Sequence, residues 1–370
     1  MTEDASPKES QGQPVASPLP KRPVLLRATA AEVVGAGMRV AGLTVIDRSI
    51  KQLDRMGLSI VAASDGSCPL PKYLPPSVLV RKVPRPDDLA SLRREMPDAI
   101  EIGANEVRAS GRSLEPGIRV VDQRTRKIAE GAIFAELMRG DLGFVARYLN
   151  KPVSFFITRH LLCHLPITPN QVTLGAAAVG LLGALFIGSG NYVFMVWGFF
   201  LAHVQSILDG CDGELARVRF QQSALGEWLD TMVDDGLNIL IFAALGIGFY
   251  RVNGSLLYLG AGLVSALMHI VYDIVALTEL RRQGEGGEII KLRWRITGSK
   301  DLKTRMTQKG VTPSLVFISL GRRDFYVLAL LVYALLGLGI LALLHTFLIA
   351  TSMLVLALGQ IIWRLRGSPA

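Results

Sequence analysis

Between Asp209 and Asp234 the chain reads DGCDGELARVRFQQSALGEWLDTMVD, with strongly apolar sequence on both sides. Asp209 and Asp212 are three apart, and Asp230 and Asp234 are four apart. Residues at these separations share one face of a helix. Two such faces turned toward each other would gather four carboxylates into an all-oxygen pocket, which suits Mg²⁺, Mn²⁺ or Ca²⁺ and not zinc. Unpaired acids at the ends of membrane-grade segments are costly, so the set calls for cations. Gly213, Ala216 and Gly226 leave open space in front of the carboxylates. Asp235, one step round the helix from Asp234, is expected to face elsewhere.

The elements that must position these acids are apolar spans, read near 170–189, 191–216, 225–250, 254–280, 324–342 and 344–364. The run 325–363 is too long for one crossing, so it is divided into a hairpin. Loop charge orients the spans. Residues 281–323 carry eleven Lys and Arg against three acids, a large part of the net +9 of the whole chain. A basic loop strung between hydrophobic spans reads as positive-inside bias, with attraction for anionic lipid heads or a phosphorylated substrate beside it. Nucleic-acid binding is a poor explanation. Both termini and the carboxylate pocket are therefore expected on the cytoplasmic side of the cell (inner) membrane.

Before the first span, residues 147–165 mix apolar residues with Arg and His at helical spacing and read as an interfacial amphipathic helix. Pro166 and the Thr168–Pro169–Asn170 turn then start span one, with Thr168 or Asn170 near the cap. Residues 24–140 alternate apolar runs with helical stretches and read as a small cytosolic α/β domain. Residues 1–23 are Pro- and Ser-rich, carry no signal peptide, and read as a disordered tail. Cys68, Cys163 and Cys211 match no metal or disulfide spacing. The fold class expected is an α-helical polytopic membrane protein: six transmembrane helices over 166–366, an interfacial helix, and the small N-terminal α/β domain.

Written as a pattern, the acidic segment is DxxDGxxAR, eight residues, then GxxxDxxxD. This resembles the signature of the CDP-alcohol phosphotransferase family at every fixed position. Thr168–Thr173 (TPNQVT) also looks like that family's entry to its first helix, and the likeness covers about 150–366. The resemblance implies transfer of a substituted phosphate from a CDP-alcohol to an acceptor hydroxyl, with release of CMP, at a pair of Mg²⁺ or Mn²⁺ ions. It makes Asp209, Asp212 and Asp230 metal ligands, and has Asp234 border the metals and take the proton of the attacking hydroxyl. Gly213, Ala216 and Gly226 would admit the nucleotide. Arg217 would pair with phosphate or brace the acids, and Pro169, Asn170 and Thr173 would close the cytidine side. The resemblance further implies a homodimer.

A second likeness lies in front. Val40–Val61 is similar to a motif and strand of sugar-phosphate nucleotidylyltransferases, and Asp141–Ser154 resembles the junction in archaeal-type inositol-phosphate cytidylyltransferase fusions. Gly35, Gly37 and Arg39 stand as GAGMR, but the dozen residues that normally follow such a loop are missing. The domain is therefore expected to be non-catalytic. For the acceptor, Arg323 and Arg364 lie at helix ends near the pocket, where the family's inositol-phosphate branch holds an acceptor phosphate, although either could instead snorkel to lipid phosphates. Asp273 is added as a weaker acceptor contact, whereas His269 and His203 are read as packing residues.

The donor favoured is CDP-diacylglycerol and the acceptor an inositol or inositol-phosphate type polyol. CDP-inositol-dependent synthesis of a soluble inositol phosphodiester is the alternative. A cation transporter or channel is the reading from another class, and acids confined to one membrane face do not suit it.

Overall fold

The computed structural model describes residues 23–108, 117–138, 144–283 and 322–366. The N-terminal tail and most of the basic loop lie outside the described residues. The chain divides into two compact units, Met1–Glu130 and Gly131–Ala370.

In the first unit, four parallel strands pair in the order β5-β4-β1-β6, with β1 (Val24–Ala28), β4 (Ile60–Ser64), β5 (Val78–Lys82) and β6 (Ile100–Gly103). Val24 is in register with Ile60 on one side and Ile100 on the other. A parallel strand covered on both faces needs apolar residues at every position, and VLLRA in the centre nearly meets that demand. Its alternation then separates two cores. Val24 and Leu26 pack with Ile46, Ile50 and Leu53 of α2 (Val45–Arg55), whereas Leu25 joins Leu92 of α3 (Pro86–Glu95). Thr44 caps α2 by accepting from the Asp47 amide. Two antiparallel strand pairs, β2 (Arg39–Val40) with β3 (Leu43–Thr44) and β7 (Glu106–Val107) with β8 (Ile118–Arg119), and then the helix α4 (Gln123–Leu137) follow among the described residues.

The Gly-rich GAGMR segment opens as the short helix α1 (Val33–Gly37) and does not form an open loop. A Cβ on Gly35 would lie 1.6 Å from the Val120 carbonyl oxygen, so this glycine is required for close backbone packing. After β1, the Ala30 amide donates to the Asp65 carboxylate at 2.8 Å.

The second unit is helical. A wide turn at Ala146–Asn150 leads into α5 (Lys151–His160), so the segment read as one amphipathic helix is a turn, a helix and a final short turn at Leu162–His164. Among the described residues, five helices follow that are long and apolar enough to cross a membrane. These are α6 (Pro169–Ile187), α7 (Tyr192–Arg219), α8 (Ala224–Asn253), α9 (Leu256–Arg282) and α11 (Gly339–Leu365). Thr168 caps α6 in a reciprocal box with Gln171, and Pro169 takes the first helical position. Glycines set the crossings: a Cβ on Gly198 of α7 would meet the Gly183 carbonyl of α6 at 2.6 Å. One on Gly262 of α9 would meet the Gly246 Cα of α8 at 2.5 Å. Small residues that let backbones approach are the usual helix contact in lipid.

The hairpin expected in 325–363 turns earlier than its charge-free sequence suggested. The intervening helix α10 (Arg323–Leu335) has 13 residues, about 20 Å, and falls short of a hydrocarbon core of about 30 Å. Gly337 (φ 69°) ends it in the left-handed region. The Gly337 amide donates to the Ala334 carbonyl and the Leu338 amide to the Tyr333 carbonyl at 2.8 Å, which is a Schellman closure. The fifth of the six expected crossings is thus a shorter helix among the described residues, and residues 339–342 belong to the last helix.

Candidate active site

The acids occupy the last turns of α7 and the first turns of α8. Four residues separate these helices: Phe220 ends α7 in the left-handed conformation (φ 56°), and the Ser223 hydroxyl accepts from the Gly226 amide to cap α8. That tight return brings Asp209 and Asp212 opposite Asp230. One carboxylate oxygen from each of the three lies within 4.8 Å of the others. Ligands on opposite sides of a hard divalent ion, at bond lengths of 2.0–2.6 Å, stand roughly 4–5 Å apart, so this spacing fits. Asp209 Oδ1 and Asp230 Oδ1 are buried without a hydrogen-bond partner. Buried carboxylate oxygens in that state need a cation. Thr173 of α6 donates to Asp212, fixing that carboxylate from the third helix.

Asp234 stands one turn beyond Asp230. Arg323, at the start of α10, forms an ion pair with Asp234 and lies 3.9 Å from Asp209. Gln205 of α7 completes the contact: its carbonyl accepts from Arg323 at 2.6 Å, and its amide donates to Asp234 at 3.4 Å. One cation therefore faces two acids of the set.

A cavity of about 250 Å³ opens in front of the three-acid cluster. It is lined by Asp209, Asp212 and Asp230 together with Pro169, Asn170, Thr173, Gly213, Ala216, Arg217 and Gly226. All seven residues expected to contact the nucleotide thus share one cavity with three of the acids. Its open floor depends on the glycines. A Cβ on Gly226 would meet the Asn170 side-chain oxygen at 3.2 Å, and one on Gly213 would meet the Arg217 guanidinium at 3.2 Å. Gln221, Gln222, Ser223 and Glu227 also line it, and sequence reasoning did not name them.

The remaining acceptor candidates lie elsewhere. Arg364 pairs with Glu279 of α9, and Asp273 is grouped with Asp235 and His269. His269 is not the satisfied packing residue expected, since both ring nitrogens are buried without a hydrogen-bond partner.

Beneath the site, Glu214 was also missed. It is fully buried and accepts from Ser154, from Thr158 at 2.7 Å and from Lys151 at 2.8 Å, tying α5 to α7. Arg219 donates to the carbonyls of Leu162, Leu165 and Ile167, fastening the segment that leads into α6.

Residues 166–296 match the family described as CDP-alcohol phosphatidyltransferase. A protein of Rubrobacter xylanophilus named bifunctional IPC transferase and DIPP synthase is 34% identical over 122 residues, 33% of this chain and 27% of that protein. Proteins of the same name are similar in Aquifex aeolicus, 34% identical over 28% of this chain and 23% of that one, and in Archaeoglobus fulgidus, 29% over 42% and 28%. The chain therefore carries a CDP-alcohol phosphatidyltransferase domain, and its matches span about a quarter of these relatives' length.

Proposed function

We propose that the protein is a membrane transferase that moves a substituted phosphate from CDP-diacylglycerol to an inositol or inositol-phosphate type polyol, releasing CMP. The observation that carries this reading is the convergence of Asp209, Asp212 and Asp230 at a cavity that also holds Pro169, Asn170, Thr173 and Arg217. Asp209, Asp212 and Asp230 would hold Mg²⁺ or Mn²⁺, which when bound neutralises pyrophosphate charge and the departing CMP oxygen. Asp234 accepts the proton of the acceptor hydroxyl as its oxygen bonds to phosphorus and the phosphorus–oxygen bond to CMP breaks. Arg323, beside Asp234, suits an acceptor that itself carries phosphate, because such a group would compete for the guanidinium and release the carboxylate. The amphipathic, basic character of the flanking segments supports a site at the cytoplasmic face of the cell membrane.

A second reading takes CDP-inositol as donor and makes a soluble phosphodiester. It is favoured by the relatives' names, which denote inositol-phosphate chemistry. The front domain is proposed to supply no CDP-alcohol: Gly35 is packed against backbone, and Asp65 occupies the amide after β1. CTP turnover by the full chain would refute that part.

The test is CMP release in detergent from CDP-diacylglycerol or CDP-inositol, with Mg²⁺ or Mn²⁺ and a panel of polyols and polyol phosphates. We expect activity with one donor that is abolished by chelator. No CMP from either donor across the panel would overturn the enzyme reading, and activity with CDP-inositol alone would select the second.

A further inference from the structure

A second cluster of buried ionisable groups lies between α8 and α9, outside the cavity lining. Asp235 contributes from α8, and His269 and Asp273, four apart on one face, contribute from α9. One ligand atom from each lies within 4.8 Å of the others. His269 is 1% exposed and Asp273 7% exposed. The His269 Nε2 faces both acids, 3.7 Å from Asp273 Oδ1 and 3.9 Å from Asp235 Oδ1. These separations exceed a hydrogen bond. Both ring nitrogens of His269, both carboxylate oxygens of Asp273 and Asp235 Oδ2 are buried without hydrogen-bond partners.

So many buried, unsatisfied polar atoms in one place demand a ligand. Two ligand atoms bound at roughly 2.1 Å and subtending 110–130° stand roughly 3.4–3.8 Å apart, which is close to the separations seen. Two carboxylates and a neutral imidazole leave two negative charges, matched by a divalent ion. Mixed nitrogen and oxygen donors suit a borderline transition metal, in contrast to the all-oxygen set in the cavity. The ring is walled by Phe242, edge-on at 5.5 Å, and Tyr272 at 6.0 Å.

We propose that Asp235, His269 and Asp273 bind a divalent transition-metal ion of the Zn²⁺ or Mn²⁺ class, which ties α8 to α9. No readout of the site requires turnover. The experiment uses metal-stripped, tag-free full-length protein in detergent, dialysed against Zn²⁺ for bound-metal counting and loaded with Mn²⁺ for pulsed EPR. Wild-type protein is expected to show imidazole ¹⁴N coupling to Mn²⁺. His269→Gln should lose that coupling and one bound Zn²⁺ per chain, while Asp209→Asn keeps the coupling. Asp273→Asn should lose the same Zn²⁺, which guards against a folding defect peculiar to the histidine variant. The absence of ¹⁴N coupling in wild type overturns the proposal. So does an unchanged Zn²⁺ count in a folded His269→Gln or Asp273→Asn protein.

Discussion

Asp234 and Thr173 touch the same acid set in different ways, and substitutions at each should be separable. In the role proposed for Asp234, Asp234→Asn removes the proton acceptor without changing shape, so CMP release should fall about 10²–10⁴-fold. If the rate with saturating substrates changes less than tenfold, the base lies elsewhere. Thr173 instead orients a carboxylate through its hydroxyl. Losing such support commonly costs about 10–100-fold in metal affinity. Thr173→Val should therefore raise the half-activating Mn²⁺ concentration by that factor while the rate at saturating Mn²⁺ recovers. An unshifted Mn²⁺ curve would remove Thr173 from the role proposed for it.

At the scale of elements, α5 depends on one buried carboxylate. Glu214→Ala would leave Lys151, Ser154 and Thr158 facing an uncompensated gap, and removing one partner of a buried pair typically costs about 3–5 kcal/mol. Protease cleavage within 144–165 should then appear in micelles under conditions where wild type resists. Equal resistance in the variant would show that other contacts hold α5. The acids of the cavity could be read in advance because three- and four-residue spacings fix a helix face whatever the tertiary packing. The caps Thr168 and Pro169 were legible for the same local reason. The pairing of Asp235 with His269 depends on how α8 and α9 rotate against each other, and no spacing within one helix reveals that. Gly337 was hidden because its run is apolar throughout, and only its positive φ marks the turn. Glu214 sits at a variable position of the acidic pattern, so nothing singled it out.

Across the whole molecule, all three cysteines are buried and none forms a disulfide. Burial, with Glu32 and Asp65 nearby, pushes the Cys68 thiol up to about 11. Alkylation follows the thiolate, which at pH 8 is then about one part in a thousand. Raising the pH to 10 should speed Cys68 modification about a hundredfold in the folded protein, as followed by peptide mass spectrometry. A rise of only about fourfold, as for an accessible thiol of pKa about 8.5, would mean that the first unit opens readily.

The four-residue return between α7 and α8 carries a consequence for how such a molecule diversifies. Asp209, Asp212, Asp230 and most of the cavity belong to one helical hairpin, whose contacts are short in sequence and quick to form. Arg323 arrives from a helix much later in the chain. On the proposed reading, reactivity and choice of acceptor are written in separate stretches of sequence, and the second can drift while the first is held constant.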